Sequence, residues 1–390
     1  MATPKRQVGR YEKSTAAGEV ISAFIPDPLP PRPALELTPA TREQVHLAEQ
    51  RLSRLELAGE MVPSVEWFIY AFVRKEAVVS SQIEGTQASL VDLLAYEAGA
   101  PVSEQANDVE EVSNYLGALT YARQQLHSEK GLPLSARLLN EAHRHLMKGA
   151  REASKQAGAL RRSQNWIGGI RPSNAIFVPP PPQEVGRLLS DLEKYIHRDD
   201  DLPAVVRAAL VHAQFETIHP YLDGNGRIGR LLITLLLEHW NLLSEPLLYL
   251  SLFFKRHRAE YYRLLNAVRL EGDWESWVSF FLTGVSTIAD EAADSARELF
   301  LLVNKDRARV LSAPNASVMA ARLLEHLPRH PIVTIPAVVK LLGTTKPTAA
   351  KAIGVLEQLQ ILRETTGRRR DRTFSYAAYL DRLGSGTEPG

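Results

Sequence analysis

The chain has 390 residues, 45% of them hydrophobic and 23% charged, which excludes wholesale disorder; at roughly 150 residues each, two or three domains are expected. Forty-six Lys and Arg stand against 45 Asp and Glu, a net charge of +1, so no overall field draws the chain to nucleic acid or an anionic membrane. With no cysteine, disulfides, thiolate metal sites and cysteine nucleophiles are all excluded.

In chain order, Met1 to about Glu19 is basic and polar without an apolar run, predicting a flexible tail and no secretory leader. The proline-rich stretch Phe24–Pro33 must be extended, because each proline fixes φ and removes a donor. Phe24, Ile25 and Leu29 anchor it as a strap on the protein's own surface. From Ala40, apolar residues recur at spacings of three and four. They predict helices near 41–58, 64–84, 107–126, 134–148, 184–197, 203–217 and 228–240. In the last of these, Ile228, Leu231, Leu232, Leu235 and Leu236 form one stripe, so it should be buried. Its apolar run, Leu231–Leu237, falls well short of the roughly 20 residues that span a bilayer. No membrane partner is expected, and a cytoplasmic location is. One β-hairpin is predicted where Trp166-Ile167 and Ile176-Phe177-Val178 flank the turn-forming Arg171-Pro172-Ser173-Asn174.

Beyond about Asn304 the charge shifts. Residues 317–382 hold 11 Lys and Arg against 5 Asp and Glu, a local net of +6. Helices at 318–327, 336–342 and 347–359 surround a turn at Gly343-Thr344-Thr345. Strand-like Ile361-Leu362-Arg363 and Thr373-Phe374-Ser375-Tyr376 follow, and the order predicts a winged helix-turn-helix. Lys346, Thr348 and Lys351 would lie on its recognition helix and Arg368, Arg369, Arg370 and Arg372 in its wing, a candidate DNA-binding surface. The expected fold is mainly α, divided into 1–100, 101–300 and 301–390.

Chemistry concentrates in His219-Pro220-Tyr221-Leu222-Asp223-Gly224-Asn225-Gly226-Arg227-Ile228-Gly229-Arg230. Gly224-Asn225-Gly226 permits positive φ and consecutive inward amides, an anion nest opening onto the start of the 228–240 helix. Arg227 and Arg230 stand at that positive helix end, where two cations make sense if an anion binds between them. Asp223 is a hard carboxylate beside the nest and suits Mg²⁺ shared with phosphate oxygens. His219 titrates near neutrality and can take a proton from an attacking hydroxyl. Together these residues describe a phosphoryl- or nucleotidyl-transfer site.

This string resembles the motif of the Fic family, His-Pro-Phe-x-Asp/Glu-Gly-Asn-Gly-Arg-x-x-Arg, with Tyr221 in place of the usual Phe. The resemblance implies a helical core with a β-hairpin flap and transfer of AMP from ATP to a Ser, Thr or Tyr hydroxyl of a target protein. It makes His219 the general base and Asp223 the Mg²⁺ ligand. Gly224, Asn225 and Gly226 would cradle the α- and β-phosphates, Arg227 would grip the diphosphate, and Arg230 the γ-phosphate. Trp166 to Val178 resembles the flap over the site, whose edge would pair with an extended target segment. Ser80-Ser81-Gln82-Ile83-Glu84-Gly85 resembles the family's inhibitory helix, implying that Glu84 pairs with Arg230 and holds ATP unproductively. Homodimerisation is implied as well. Two alternatives stand beside transfer: removal of AMP by water that Glu84 orients, and a DNA-binding regulator whose core senses nucleotide.

Overall fold

The computed structural model describes residues 6–60, 65–100, 106–149, 156–368 and 370–389. The chain opens with two antiparallel strands, β1 (Gly9–Ala16) and β2 (Glu19–Pro26), paired from Gly9↔Pro26 to Ala16↔Glu19. Helices α1 (Pro39–Glu60), α2 (Val65–Ile83), α3 (Leu90–Glu97), α4 (Ala106–His127) and α5 (Ala136–Leu146) follow. A 3₁₀ turn at Pro172–Asn174 precedes α6 (Pro182–His197), α7 (Ala204–Ile218) and α8 (Asn225–His239). Next come α9 (Ser251–Arg256), α10 (Arg258–Glu271), the long α11 (Trp274–Ser312) and α12 (Val318–His326). The end holds β3 (Ile332–Thr334), α13 (Ile335–Leu342), α14 (Lys346–Gln358), β4 (Arg363–Glu364), β5 (Thr373–Ser375) and α15 (Ala377–Leu383). Among the described residues, no helix is long and apolar enough to cross a membrane.

Two compact units interleave along the chain, because α1, α4 and α11 each begin in one and finish in the other. Met1–Ser53, Asn114–Ser244 and Phe253–Ala289 form the first; Arg54–Ser113, Glu245–Leu252 and Asp290–Gly390 form the second. The linear division expected from the sequence does not follow these units.

In the first unit α8 packs on α7, with α5 also against α8 and α6, α10 and β2 against α7. The predicted stripe Ile228, Leu231, Leu232, Leu235 and Leu236 is fully buried. Gly229 lets the two helices close: a Cβ there would fall 2.3 Å from Glu216 Oε1 and 3.2 Å from Phe215 Cδ1. His212, Phe254, Tyr261 and Trp277 stack behind α7, and Trp277 Nε1 donates to the Ala209 carbonyl at 2.8 Å.

The start of the chain departs from expectation. Residues 9–16 are not a free tail but a strand, turned by Ala17 and Gly18, both at positive φ (47° and 81°). Arg6 is buried, bonding the Pro33, Ala34 and Gly272 carbonyls and pairing with Glu275 at 2.8 Å. The proline strap is anchored as expected, with Phe24, Ile25 and Leu29 buried. The predicted hairpin at 165–178 is reduced to one bridge, Ile167↔Phe177, among the described residues. Gly168 and Gly169 at positive φ and the 3₁₀ turn bend its limbs away from regular pairing.

In the second unit α3 carries a reciprocal capping box between Ser89 and Asp92. Ser317 and Thr334 cap α12 and α13 by accepting from Ala320 and Ala337 N–H. The sheet order β3-β5-β4 is antiparallel throughout. The β3 strand went unforeseen, because three residues are too few for an alternating pattern to register.

Candidate active site

Helix α7 ends at His219, whose backbone is left-handed (φ 48°, ψ 63°) and whose N–H still bonds the Phe215 carbonyl at 2.9 Å. Five residues later Gly224 is left-handed too (φ 74°) and serves as the N-cap of α8. The left-handed angle favours glycine, and a Cβ there would lie 3.1 Å from Leu146 Cδ2 and 3.3 Å from Met147 Sδ, close enough that these side chains would have to shift. The intervening loop is built from within. Asn225 Oδ1 accepts the Tyr221 N–H and its Nδ2 donates to the Tyr221 carbonyl, both at 2.8 Å. Asn165 Nδ2 adds a second bond to that carbonyl at 3.1 Å.

The backbone of the loop differs from expectation in one respect. Only Gly224 has positive φ in the Gly-Asn-Gly run, since Asn225 and Gly226 already belong to α8. The anion-attracting amides are therefore those of a helix's first turn, which have no acceptor within the helix. The Asn225 side chain is a latch inside the loop, and its backbone amide opens the first turn of α8.

Tyr221 is fully buried, and its hydroxyl donates to Asn140 Oδ1 at 2.9 Å. Its ring lies flat on His143, centroids 3.9 Å apart. His143 was not singled out in the sequence. Its Nδ1 accepts the Gly158 N–H at 2.9 Å, which leaves Nε2–H to donate to the Asp223 carbonyl at 3.0 Å. Burial lowers this imidazole to about 4, so it stays the neutral tautomer that both bonds require. Position 143 shares an apolar face with Leu139 and Leu146, the usual setting of a core histidine.

Two arginines also went unnoticed. Arg161 Nε donates to the His219 carbonyl at 2.9 Å, and its Nη2 to the Pro180 and Ile218 carbonyls at 2.6 and 3.4 Å. Arg269 Nη2 donates to the Glu216 carbonyl at 3.0 Å and its Nε to Thr217 Oγ1 at 3.2 Å. Both are buried, and burial brings each guanidinium down to about 10. No short motif signals them, because most of their partners are backbone carbonyls distant in the chain.

The His219 ring is half-buried, with Nδ1 the enclosed nitrogen; Nδ1 makes no hydrogen bond among the described residues. Burial first, then the charges of Arg269 and Arg161, lower the imidazole to about 3. The Glu216 carbonyl and Asp223 pull the other way, the carbonyl without reaching hydrogen-bond geometry. His219 is thus a neutral base with Nε2 outward.

Asp223 Oδ1 accepts the Gly224 N–H at 2.7 Å and stands 4.0 Å from Arg227 Nη2, with 40% of the side chain exposed. That carboxylate fits a divalent cation held largely by phosphate oxygens. No cluster of three or more His, Asp or Glu could cage a metal by itself among the described residues. Arg227 and Arg230 are buried in the opening turns of α8. Glu84 belongs to the second unit: α2 stops at Ile83, Gly85 takes φ 108°, and the Glu84 side chain is exposed between them. Of the four arginines expected in a wing, Arg368 and Arg370 are exposed. Arg372 pairs with Glu357 at 3.3 Å, and Arg369 lies outside the described residues.

With the site described, its likenesses can be stated. Residues 42–124 match the Fic/DOC family N-terminal model and residues 133–237 the Fic/DOC family model. A protein adenylyltransferase Fic of Culex quinquefasciatus is 28% identical over 247 residues, 60% of this chain and 46% of that protein. A probable protein adenylyltransferase of Aquifex aeolicus is 27% identical over 180 residues, 46% of this chain and 52% of its own. The chain thus spans about half the length of these curated relatives. The crystal structure of a Fic family protein from Desulfovibrio desulfuricans shares the fold at TM-score 0.56 and 20% identity, over 87% of this chain and 97% of the other. Residues 42–124 and 133–237, the second holding the loop that joins α7 to α8, thus carry the two Fic/DOC family regions.

Proposed function

We propose that this protein transfers AMP from ATP to a hydroxyl of a target protein, and that Glu84 restrains it. One observation carries the reading: a neutral, half-buried His219 shares one loop with the start of α8 and two buried arginines. Cations at the positive end of a helix oppose its dipole, and a bound polyphosphate reverses that sign. The names of the relatives above support the same activity.

In this reading the target hydroxyl attacks the α-phosphorus while the bond to the bridging β-phosphate oxygen breaks. His219 Nε2 takes the hydroxyl proton, and pyrophosphate leaves with the bonding pair. The amides of Asn225 and Gly226 hold the α- and β-phosphates, Arg227 the diphosphate and Arg230 the γ-phosphate. Asp223 would hold Mg²⁺, which when bound draws charge from the phosphate oxygens. Glu84, pairing with Arg230, would take from the γ-phosphate the guanidinium it needs.

Glu84→Gly should raise labelled-AMP transfer about 10- to 100-fold, the equivalent of 1.5–3 kcal/mol for one charged hydrogen-bonded contact. The comparison is incubation with labelled ATP and Mg²⁺ beside wild type and His219→Ala. The reading fails if Glu84→Gly labels itself and lysate proteins no more than His219→Ala does.

The terminal elements favour a second role. Helices α12, α13 and α14 with the sheet β3-β5-β4 support the winged-helix reading, and Lys346, Lys351, Arg368 and Arg370 are exposed. A DNA duplex is the partner these cations suit. Mobility shift against mixed duplex should then show binding that weakens steeply with salt. Absence of any shift at low salt rules the role out.

A further inference from the structure

Arg161 and Arg269 are buried, and neither forms an ion pair among the described residues, an unusual state for two guanidinium groups. Their partners show a common plan. On one side both bond the last carbonyls of α7: Glu216 for Arg269, Ile218 and His219 for Arg161. A helix end leaves such carbonyls without partners, and cations there also match the dipole. On the other side both meet the limb of the flap that returns to α6. Arg161 bonds the Pro180 carbonyl, and the Arg269 guanidinium lies 4.1 Å from the centre of the Phe177 ring. The Arg161 N–H adds a bond to the Pro220 carbonyl at 3.0 Å, on the far side of His219.

His219 gains from being held. Its left-handed backbone costs a residue with a Cβ about 1–2 kcal/mol, so the conformation persists only where the surroundings fix it. The flap limb gains too, since it has only one bridge, Ile167↔Phe177, of its own.

We propose that Arg161 and Arg269 are positioning residues that join the end of α7 to the flap, so that the base and the edge presenting the acceptor keep one geometry. The proposal rests on the transfer reaction above for its kinetic consequence, but not for its structural one.

Arg161→Met, Arg161→Lys and Arg269→Met, each in the Glu84→Gly background, test it by three measurements. At saturating ATP, transfer by Arg161→Met should fall about 100-fold, the scale of a 1 Å misplacement of reacting groups. ATP affinity from equilibrium binding should stay within about threefold, because neither arginine is at the phosphate end. Amide exchange over 164–180, followed by mass spectrometry without nucleotide, should quicken in both methionine variants. Arg161→Lys, one charge without the fork, should recover part of the transfer. Unchanged flap exchange in both methionine variants, or transfer within threefold of the parent, overturns the proposal. So does ATP affinity falling in step with transfer, which would mark a general loss of fold. If Arg161→Met does not fold, Arg269→Met and Arg161→Lys carry the same measurements. A Glu84→Gly parent no more active than His219→Ala would sink the functional reading instead, leaving the exchange measurement to decide on the bridge.

Discussion

Replacing His219 with alanine is expected to lower AMP transfer about 10²- to 10⁴-fold, the usual share of a positioned general base. The imidazole has its Nδ1 enclosed and Nε2 outward, so one nitrogen alone can meet a substrate proton. It starts neutral, since burial and the nearby Arg269 and Arg161 charges lower it far below its ordinary value. The groups proposed to hold the phosphates are on α8, so the alanine variant should still bind ATP within a few-fold. Single-turnover labelling beside equilibrium ATP binding, both in the Glu84→Gly background, separates the two effects. Transfer within tenfold of the parent would remove His219 from the role of base.

Asn225→Ala should be the most damaging substitution for stability in the site. The side chain is 2% exposed and closes the Tyr221 N–H and carbonyl at once. Truncation leaves the N–H with no partner, while the carbonyl keeps Asn165. At about 1–3 kcal/mol per buried unsatisfied group, plus the bond lost to the carbonyl, the cost is about 2–4 kcal/mol. Urea unfolding would show it as a lower midpoint with an unchanged slope. Transfer should fall with it, since the same latch sets the distance between His219 and α8. A variant as stable as wild type would remove the latch role from the Asn225 side chain.

The site also shows where the sequence was legible. Helix periodicity located α1, α2 and α4 to α8 within a few residues, because one apolar stripe leaves a clear 3.6-residue signature. The loop from His219 to Arg230 was readable because its residues act through types and spacings that few other needs produce. The latch made by the Asn225 side chain was not legible, because a motif names a residue without saying what each of its groups meets. Arg161 and His143 were invisible for another reason: each meets backbone groups of residues far along the chain, and any residue type could supply those. The β1–β2 pairing escaped because Ala17-Gly18 lacks the Asn-Gly or Asp-Gly signature of a tight hairpin turn. The inhibitory role of Glu84 stays with the resemblance and with its own experiment.

The β1–β2 hairpin bears on where the chain can be cut. Both matched family regions begin after it, at residues 42 and 133, so a fragment trimmed to those limits would discard it. Yet the Phe24 N–H bonds the Val178 carbonyl at 3.0 Å, and the Phe24 ring meets Phe177 edge-on at 6.1 Å. Glu19 accepts the Ser173 N–H at 3.1 Å, and Ser14 bonds Gln164 at the same distance. Residues 9–26 thus brace the flap. Removing them should leave the loop from His219 to Arg230 intact and residues 164–180 unsupported, so weak labelling by such a fragment would say little about the full chain.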